Sequence, residues 1–192
     1  MPRNKTITDD EILAVARLLF LREGAKASTR ILAKMAGISE AVIFQRFGTK
    51  EDLFFAAMVP PQAQLESIFK VQPGQQQVST NLKLISLQII LYFREMMPVF
   101  LSLISHPSFD MQTFLQRHTV PTMQISEKLT AYLNAEADLG RICRNNVAAA
   151  AAVLLSHLHN LVLSETIGSH QSTDTDQAVS DAIALLWAGL SP

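Results

Sequence analysis

The sequence has a single cysteine, only seven glycines, and charged residues at 17% where about 25% is usual for a soluble domain. One thiol, Cys143, excludes an intrachain disulfide and supplies no cysteine-based metal set, which fits a reducing compartment. The net charge of −1, from 16 Lys and Arg against 17 Asp and Glu, excludes a uniformly basic nucleic-acid binder but not a basic face. Long apolar runs are missing too. The longest uninterrupted one, Val147–Leu155, has nine residues against the roughly 20 that a bilayer core requires, so no transmembrane helix and no membrane partner are expected. At the N-terminus, Met1-Pro2-Arg3-Asn4-Lys5 runs into Thr8-Asp9-Asp10-Glu11, acids where a signal peptide needs its apolar region; a cytoplasmic protein is expected. Hairpin turns of the Asn-Gly type, sustained period-two alternation and internal repeats are also lacking, so the chain reads as all-α.

What is present is apolar: 48% of the residues, destined for a core, a pocket or a partner chain. Glycines at 24, 37 and 48 punctuate short helical segments, followed by Pro60-Pro61 and a Gln-rich stretch at 71–77 that reads as a loop. Beyond Val78 the segments lengthen. Residues 1–58 hold nine Lys and Arg and seven Asp and Glu, a balance of +2, and the remainder is at −3. The spacing divides the chain into a compact unit over 1–53 and a helical domain over 54–192, linked through a fourth helix at about 50–69 that bends near Pro60-Pro61.

Thr8-x-x-Glu11 fits a capping box that starts a helix with Ile12, Ala16, Leu19 and Phe20 on one face, closed by a left-handed cap at Gly24. A second helix begins near Ser28 or Thr29 and stops at Gly37. Ser39 caps a third over Glu40–Phe47, with Val42, Ile43 and Phe47 inward. Two short helices around a glycine turn have helix-turn-helix spacing. A helix of eight residues is about 12 Å long, close to the width of the DNA major groove. Its outward residues are Glu40, Ala41, Gln45 and Arg46, with Ser28, Thr29 and Lys50 flanking at phosphate distance. The same spacing also suits a packed helix pair that binds nothing.

Residues 8–58 resemble the N-terminal domain of the TetR/AcrR family of one-component transcriptional regulators. The resemblance is carried by Ile12-Leu13 with Ala16, Leu19-Phe20, Gly24, Ser28-Thr29, Leu32 through Ser39, Ile43 through Phe47, and Thr49 through Phe54, in that order and spacing. It implies a homodimer on double-stranded DNA, with a C-terminal domain that binds a small apolar effector and releases the protein, a repressor. The implied DNA contacts are Ser28, Thr29, Ser39, Glu40, Ala41, Phe44, Gln45, Arg46 and Lys50. The family usually has Tyr where Phe44 stands, so Phe44 supplies apolar contact only. It often has Tyr-His at Gln45-Arg46, where Arg46 brings a full charge to a phosphate and Gln45 an amide able to read adenine. Lys50 matches the family lysine at the start of helix four, where cation and helix N-terminus together suit phosphate. Arg3 and Lys5 form a basic arm.

In the C-terminal region the pattern predicts helices over Val78–Arg94, Met96–Ser105, Ser108 to about His118, Thr122–Ala137, Val147–Leu163 capped by Asn145 or Asn146, and Asp176–Leu190 capped by Thr173 or Asp174. The last two resemble the helix pair through which TetR-type regulators dimerise, with a seam at Ala151, Leu154, Leu155, Leu158, Val162, Ala182, Ile183, Leu186 and Trp187. Two recognition helices related by a two-fold reach successive major grooves about 34–36 Å apart, which requires a palindromic operator. A Met- and Phe-rich segment, Phe93, Met96, Met97, Phe100, Met111, Phe114, His118 and Met123, together with His157, forms the candidate effector pocket. A Met and Phe stripe at helical spacing is ordinary core more often than a pocket. His157 and His159 lie on different helix faces, so no metal pair is expected. An enzyme is disfavoured: no Ser-His-Asp set or phosphate loop is present, Thr49-Lys50 lacks the preceding glycines, and no cofactor is expected. The alternative function is a helical, dimeric protein-interaction module in which the helix-turn-helix is structural.

Overall fold

The computed structural model describes residues 7–59, 63–117, 121–169 and 174–190, and among these all regular structure is helical. The Pro60-Pro61 bend, the Arg3/Lys5 arm, the Thr173 cap and His118 lie outside the described residues. The chain folds as two compact units, one of residues 1–60 with 98–118 and one of 61–97 with 119–192. The expected 53/54 division lies within the helix that begins at Lys50, and residues 98–118 group with the N-terminal ones.

In the first unit, α1 (Asp9–Glu23) starts at the expected capping box: Thr8 Oγ1 accepts from the Glu11 amide at 3.2 Å, and the Glu11 carboxylate accepts from the Thr8 amide at 2.8 Å. It ends at Gly24, whose φ is 65° but whose ψ of −156° is not the left-handed helical cap expected; a short 3-10 turn over Gly24–Lys26 follows. Then come α2 (Thr29–Ala36), α3 (Glu40–Phe47) and α4 (Lys50–Ala57). Ile12, Ala16, Leu19 and Phe20 of α1 meet Leu32, Ile43, Leu53 and Phe54 in a buried core, each large side chain contributing about 1.5–3 kcal/mol of burial. Phe20 and Phe54 pack edge to face at 5.2 Å, the arrangement ring quadrupoles favour. Arg17 clasps the far end of α4, its Nε donating to the Ala57 carbonyl at 2.7 Å and its Nη2 to that of Val59.

Helix α5 (Ala63–Ile68) begins the second unit, and α6 (Val78–Ile104) follows. The two helices expected over 78–94 and 96–105 are one helix of 27 residues with Pro98 inside it. Proline removes the bond that the Arg94 carbonyl would accept and crowds that turn. The apolar face nevertheless runs through it, from Leu82, Ile85 and Ile89 to Val99 and Leu103. Pro98 is also where the two units divide. The first unit is completed by α7 (Met111–Arg117), shorter than the expected 108–118 because Asp110 Oδ1 caps it, accepting from the Thr113 amide at 2.7 Å.

The second unit continues with α8 (Pro121–Asp138), α9 (Val147–Thr166) and α10 (Thr175–Leu190). Proline opens α8, where its missing N–H is not needed. Helix α9 packs on both α8 and α10. Asn146 precedes α9 without capping it; its side-chain amide donates to the Gly189 carbonyl at 3.2 Å, and the Cys143 amide donates to that of Leu190 at 2.7 Å. Asp174 does cap α10, accepting from the Asp176 amide at 3.0 Å. Glu136 is fully buried, held by Tyr132, Arg141 and the Gly74 amide.

Counting uninterrupted runs understates two helices. By length and mean hydropathy, 1.5 for Val78–Ile104 and 1.6 for Arg144–Thr166, both are long and apolar enough to cross a membrane, contrary to expectation. Each buries much of that apolar window inside the protein, 50% and 39% respectively, as core helices of a folded domain do.

Candidate nucleic-acid interface

The turn between α2 and α3 is set by Gly37 at φ 69°, ψ 27°. Its amide donates to the Lys34 carbonyl at 3.3 Å, and the Ile38 amide donates to that of Ala33 at 3.0 Å, the bond pair of a Schellman ending. Any residue with a Cβ is strained at that φ, so glycine fixes the direction in which the chain enters α3. Ser39 then caps α3, accepting from the Val42 amide at 3.3 Å.

Helix α3 buries Ile43 completely, half-buries Val42 and Phe47, and leaves Ala41, Phe44 and Gln45 exposed on the opposite side. Phe44 is 40% exposed, an apolar side chain with no hydroxyl in the middle of an outward face. Both ends of the helix are tied to other helices. At the start, the Thr29 hydroxyl donates to Glu40 Oε1, so two of the expected contact residues are bound to each other. At the end, Arg46 Nη1 donates to the Ile7 carbonyl at 2.8 Å and to Asp9 Oδ1 at 3.1 Å. Arg46 thus stands exposed beside the start of α1 with its charge partly answered.

Ser28 is half-buried and contributes its carbonyl to α2, accepting from the Leu32 amide at 3.0 Å, while its hydroxyl makes no cap bond. Lys50 is the first residue of α4, behind a capping box in which Thr49 Oγ1 accepts from the Asp52 amide at 3.0 Å and Asp52 accepts from the Thr49 amide at 3.2 Å. A cation at a helix N-terminus opposes the macrodipole and gains from a bound anion. The unit therefore gathers Ser28, Thr29, Ser39, Glu40, Ala41, Phe44, Gln45, Arg46 and Lys50 on the two helices of the turn and the start of the next. Sequence reasoning missed the Arg46–Asp9, Thr29–Glu40 and Arg17 ties; only the Thr49-x-x-Asp52 box had a local signature.

The expected effector residues are divided. Phe93, Met96 and Met97 are buried in the second unit, where Met123 is 59% exposed and His157 half-buried with its Nε2 atom enclosed and unbonded. Phe100, Met111 and Phe114 belong to the first unit, with Met111 at 42% exposure. The expected seam residues fall into two groups. Ala151, Leu154, Leu155, Leu158, Val162 and Ile183 are buried within the chain's own core; Ala182, Leu186 and Trp187 are half-buried. The apolar stripe of each helix faces its own neighbours, and its other side presents Ala148, Ala149, Ala152 and Val153 on α9 and Ala184, Leu185 and Ala188 on α10. Among the described residues no group of three or more His, Cys, Asp or Glu side chains could hold a metal ion.

This arrangement is that of a helix-turn-helix, the unit that places its second helix against DNA. Residues 12–57 match the family model described as bacterial regulatory proteins, tetR family. Over nearly its whole length the chain is similar in structure to a TetR-family transcriptional regulator described as putative from Mesorhizobium loti, with a TM-score of 0.80, 16% identity and 96% of each chain covered. It is also similar to a TetR transcriptional regulator from Agrobacterium tumefaciens, with a TM-score of 0.66, 17% identity, and 95% and 94% covered. A third, the flavonoid-responsive regulator FrrA, has a TM-score of 0.66, 23% identity, and 95% and 96% covered. No curated protein matches the sequence. The likeness to the tetR family model is thus confined to residues 12–57, and the chain as a whole has the fold of TetR-type regulators.

Proposed function

We propose that the protein is a cytoplasmic repressor that binds a palindromic operator as a homodimer and is released by a small apolar effector. The observation that carries the DNA reading is the outward face of α3, with Ala41, Phe44 and Gln45 exposed and Arg46 and Lys50 beside it. Gln45 reads a base and Arg46 and Lys50 meet phosphates; Ser28, Thr29, Ser39 and Glu40 hold the approach. Selection of bound sequences from random double-stranded DNA tests this. The expected product is a palindrome whose affinity falls steeply with salt, and a protein that retains no DNA at low salt overturns it. Gln45→Ala is expected to relax preference at one base pair in each half-site, by about 1–3 kcal/mol of discrimination, leaving the affinity for unrelated DNA unchanged.

For the homodimer, the free faces of α9 and α10 supply the seam: small side chains admit a close backbone, and Leu185 at 80% exposure is the largest apolar group offered there. Leu185→Arg is expected to convert a dimer into a monomer in light scattering while the helical signal is retained. An unchanged mass places the seam elsewhere. Effector response is supported by the buried Phe93, Met96 and Met97, and by the printed name of the flavonoid-responsive neighbour. A crude lipophilic extract is expected to lower operator occupancy.

A further inference from the structure

The N-terminal unit contains a groove separate from the outward face of α3. Glu51 and Phe55 of α4 form one wall, and Phe109, Asp110 and Phe114 in and before α7 form the other; Arg46 also lines it. Its volume is ≈ 510 Å³, within the roughly 300–1,000 Å³ of small-molecule sites. Three rings make its apolar surface: Phe55 lies 6.4 Å from Phe109 and 6.5 Å from Phe114, and these two are 5.7 Å apart, with interplanar angles of 47°, 63° and 54°. All three are half-buried, so ring surface stays open where in an ordinary core it would be covered.

Among the described residues, Glu51 and Asp110 bring acidic charge to these rings beside the guanidinium of Arg46, which already meets Asp9 and the Ile7 carbonyl. Thr113 hydrogen-bonds the Asp110 carboxyl through its hydroxyl and its amide, holding it below its usual range and therefore anionic. The Glu51 carboxylate stands 4.0 Å from His106 Nδ1. Each feature alone is ordinary: exposed acids are solvated, and clustered rings are core. Open aromatic faces beside the carboxylates of Glu51 and Asp110 are a different matter, because ring quadrupoles and carboxylates attract the same kind of charge. An anion is repelled there, and a neutral apolar molecule gains nothing from the carboxylate charge.

We propose that this groove binds a small organic cation, a protonated or quaternary amine with an apolar body, its body against Phe55, Phe109 and Phe114 and its charge between Glu51 and Asp110. The claim concerns binding to the protein without DNA, so it stands or falls apart from the operator reading. The test is calorimetric titration of the full chain with benzyltrimethylammonium, and in parallel with phenylmethanesulfonate, which carries a similar body and the opposite charge. The expected result is saturable binding of the ammonium ion only, weakened at least tenfold in the Glu51→Gln, Asp110→Asn double variant. Asparagine at 110 keeps an acceptor for the Thr113 amide, so α7 retains its cap. Phe109→Leu, which leaves every charge in place, is expected to weaken binding several-fold and serves as the second variant. Absence of saturable binding, equal binding of the sulfonate, or unchanged affinity in both variants overturns the proposal.

Discussion

Replacing Glu136 with alanine is expected to lower the free energy of unfolding by about 3–5 kcal/mol, the usual loss when one partner of a buried ion pair is removed. Glu136 is 0% exposed and satisfies three donors at once. The Tyr132 hydroxyl donates to it at 2.6 Å, Arg141 Nη1 at 3.0 Å and the Gly74 amide at 3.3 Å. Arg141 also donates through Nη2 to the Gln76 carbonyl, so one carboxylate fastens the 72–77 loop to the end of α8. Burial, and then the neighbouring carboxylate, push the Tyr132 phenol above its ordinary pKa, leaving it a neutral donor. Alanine strands a guanidinium, a phenol and an amide together. Because the Arg141 side chain keeps 27% of its exposure, water can reach it, and the lower end of the range is expected. Glu136→Gln preserves shape and one acceptor oxygen and should cost less; Glu136→Leu with Arg141→Met removes both charges and should recover much of the loss. Denaturant midpoints at constant m-value measure all three. A change below about 1 kcal/mol for the alanine variant would show that solvent replaces the carboxylate.

Arg46→Ala and Lys50→Ala are expected to weaken operator binding by roughly tenfold to a hundredfold each, since hydrogen bonds to charged groups contribute about 1.5–3 kcal/mol. The loss should be the same for operator and unrelated DNA, and each variant should flatten the salt dependence by about one unit of slope. Arg46 also ties α3 to α1, so its removal alone does not separate contact from support. Asp9→Asn makes that separation by discharging the carboxylate that Arg46 meets at 3.1 Å. It should leave DNA binding intact or tighten it, because the guanidinium then spends its full charge on phosphate. Equal losses in Asp9→Asn and Arg46→Ala would assign Arg46 a structural role. Fluorescence anisotropy across a salt series provides the measurement.

The helices were legible in the sequence where local chemistry sets them. Thr8-x-x-Glu11, Gly37 and Ser39 act within three or four residues of themselves, and the caps formed as read. Helix α6 was divided between Arg94 and Met96, whereas an apolar face continuous on both sides carries one helix through Pro98 despite the missing hydrogen bond. The seam residues named from the sequence follow the same signal. A 3.6-residue period finds the face a helix buries, and in α9 that face, Leu154, Leu155 and Leu158, is already covered inside the chain. The outward alanines carry too little apolar signal to stand out. Within the candidate interface, Ala41 and Gln45 could be placed outward from spacing alone, and Phe44 only through the resemblance. The ties of Arg46 to Asp9 and Thr29 to Glu40 join residues 37 and 11 apart, beyond any helical period. The aromatic groove likewise joins α4 to residues more than fifty positions later in the sequence.

The bonds at both ends of α3 have a thermodynamic consequence. A recognition helix held by Thr29 at its start and by the α1 terminus at its end is ordered before it meets a duplex, so the entropy of ordering it is lost during folding and not during association. Its operator complex should therefore show a heat-capacity change that matches the apolar area covered at the interface, without the added contribution that accompanies coupled folding.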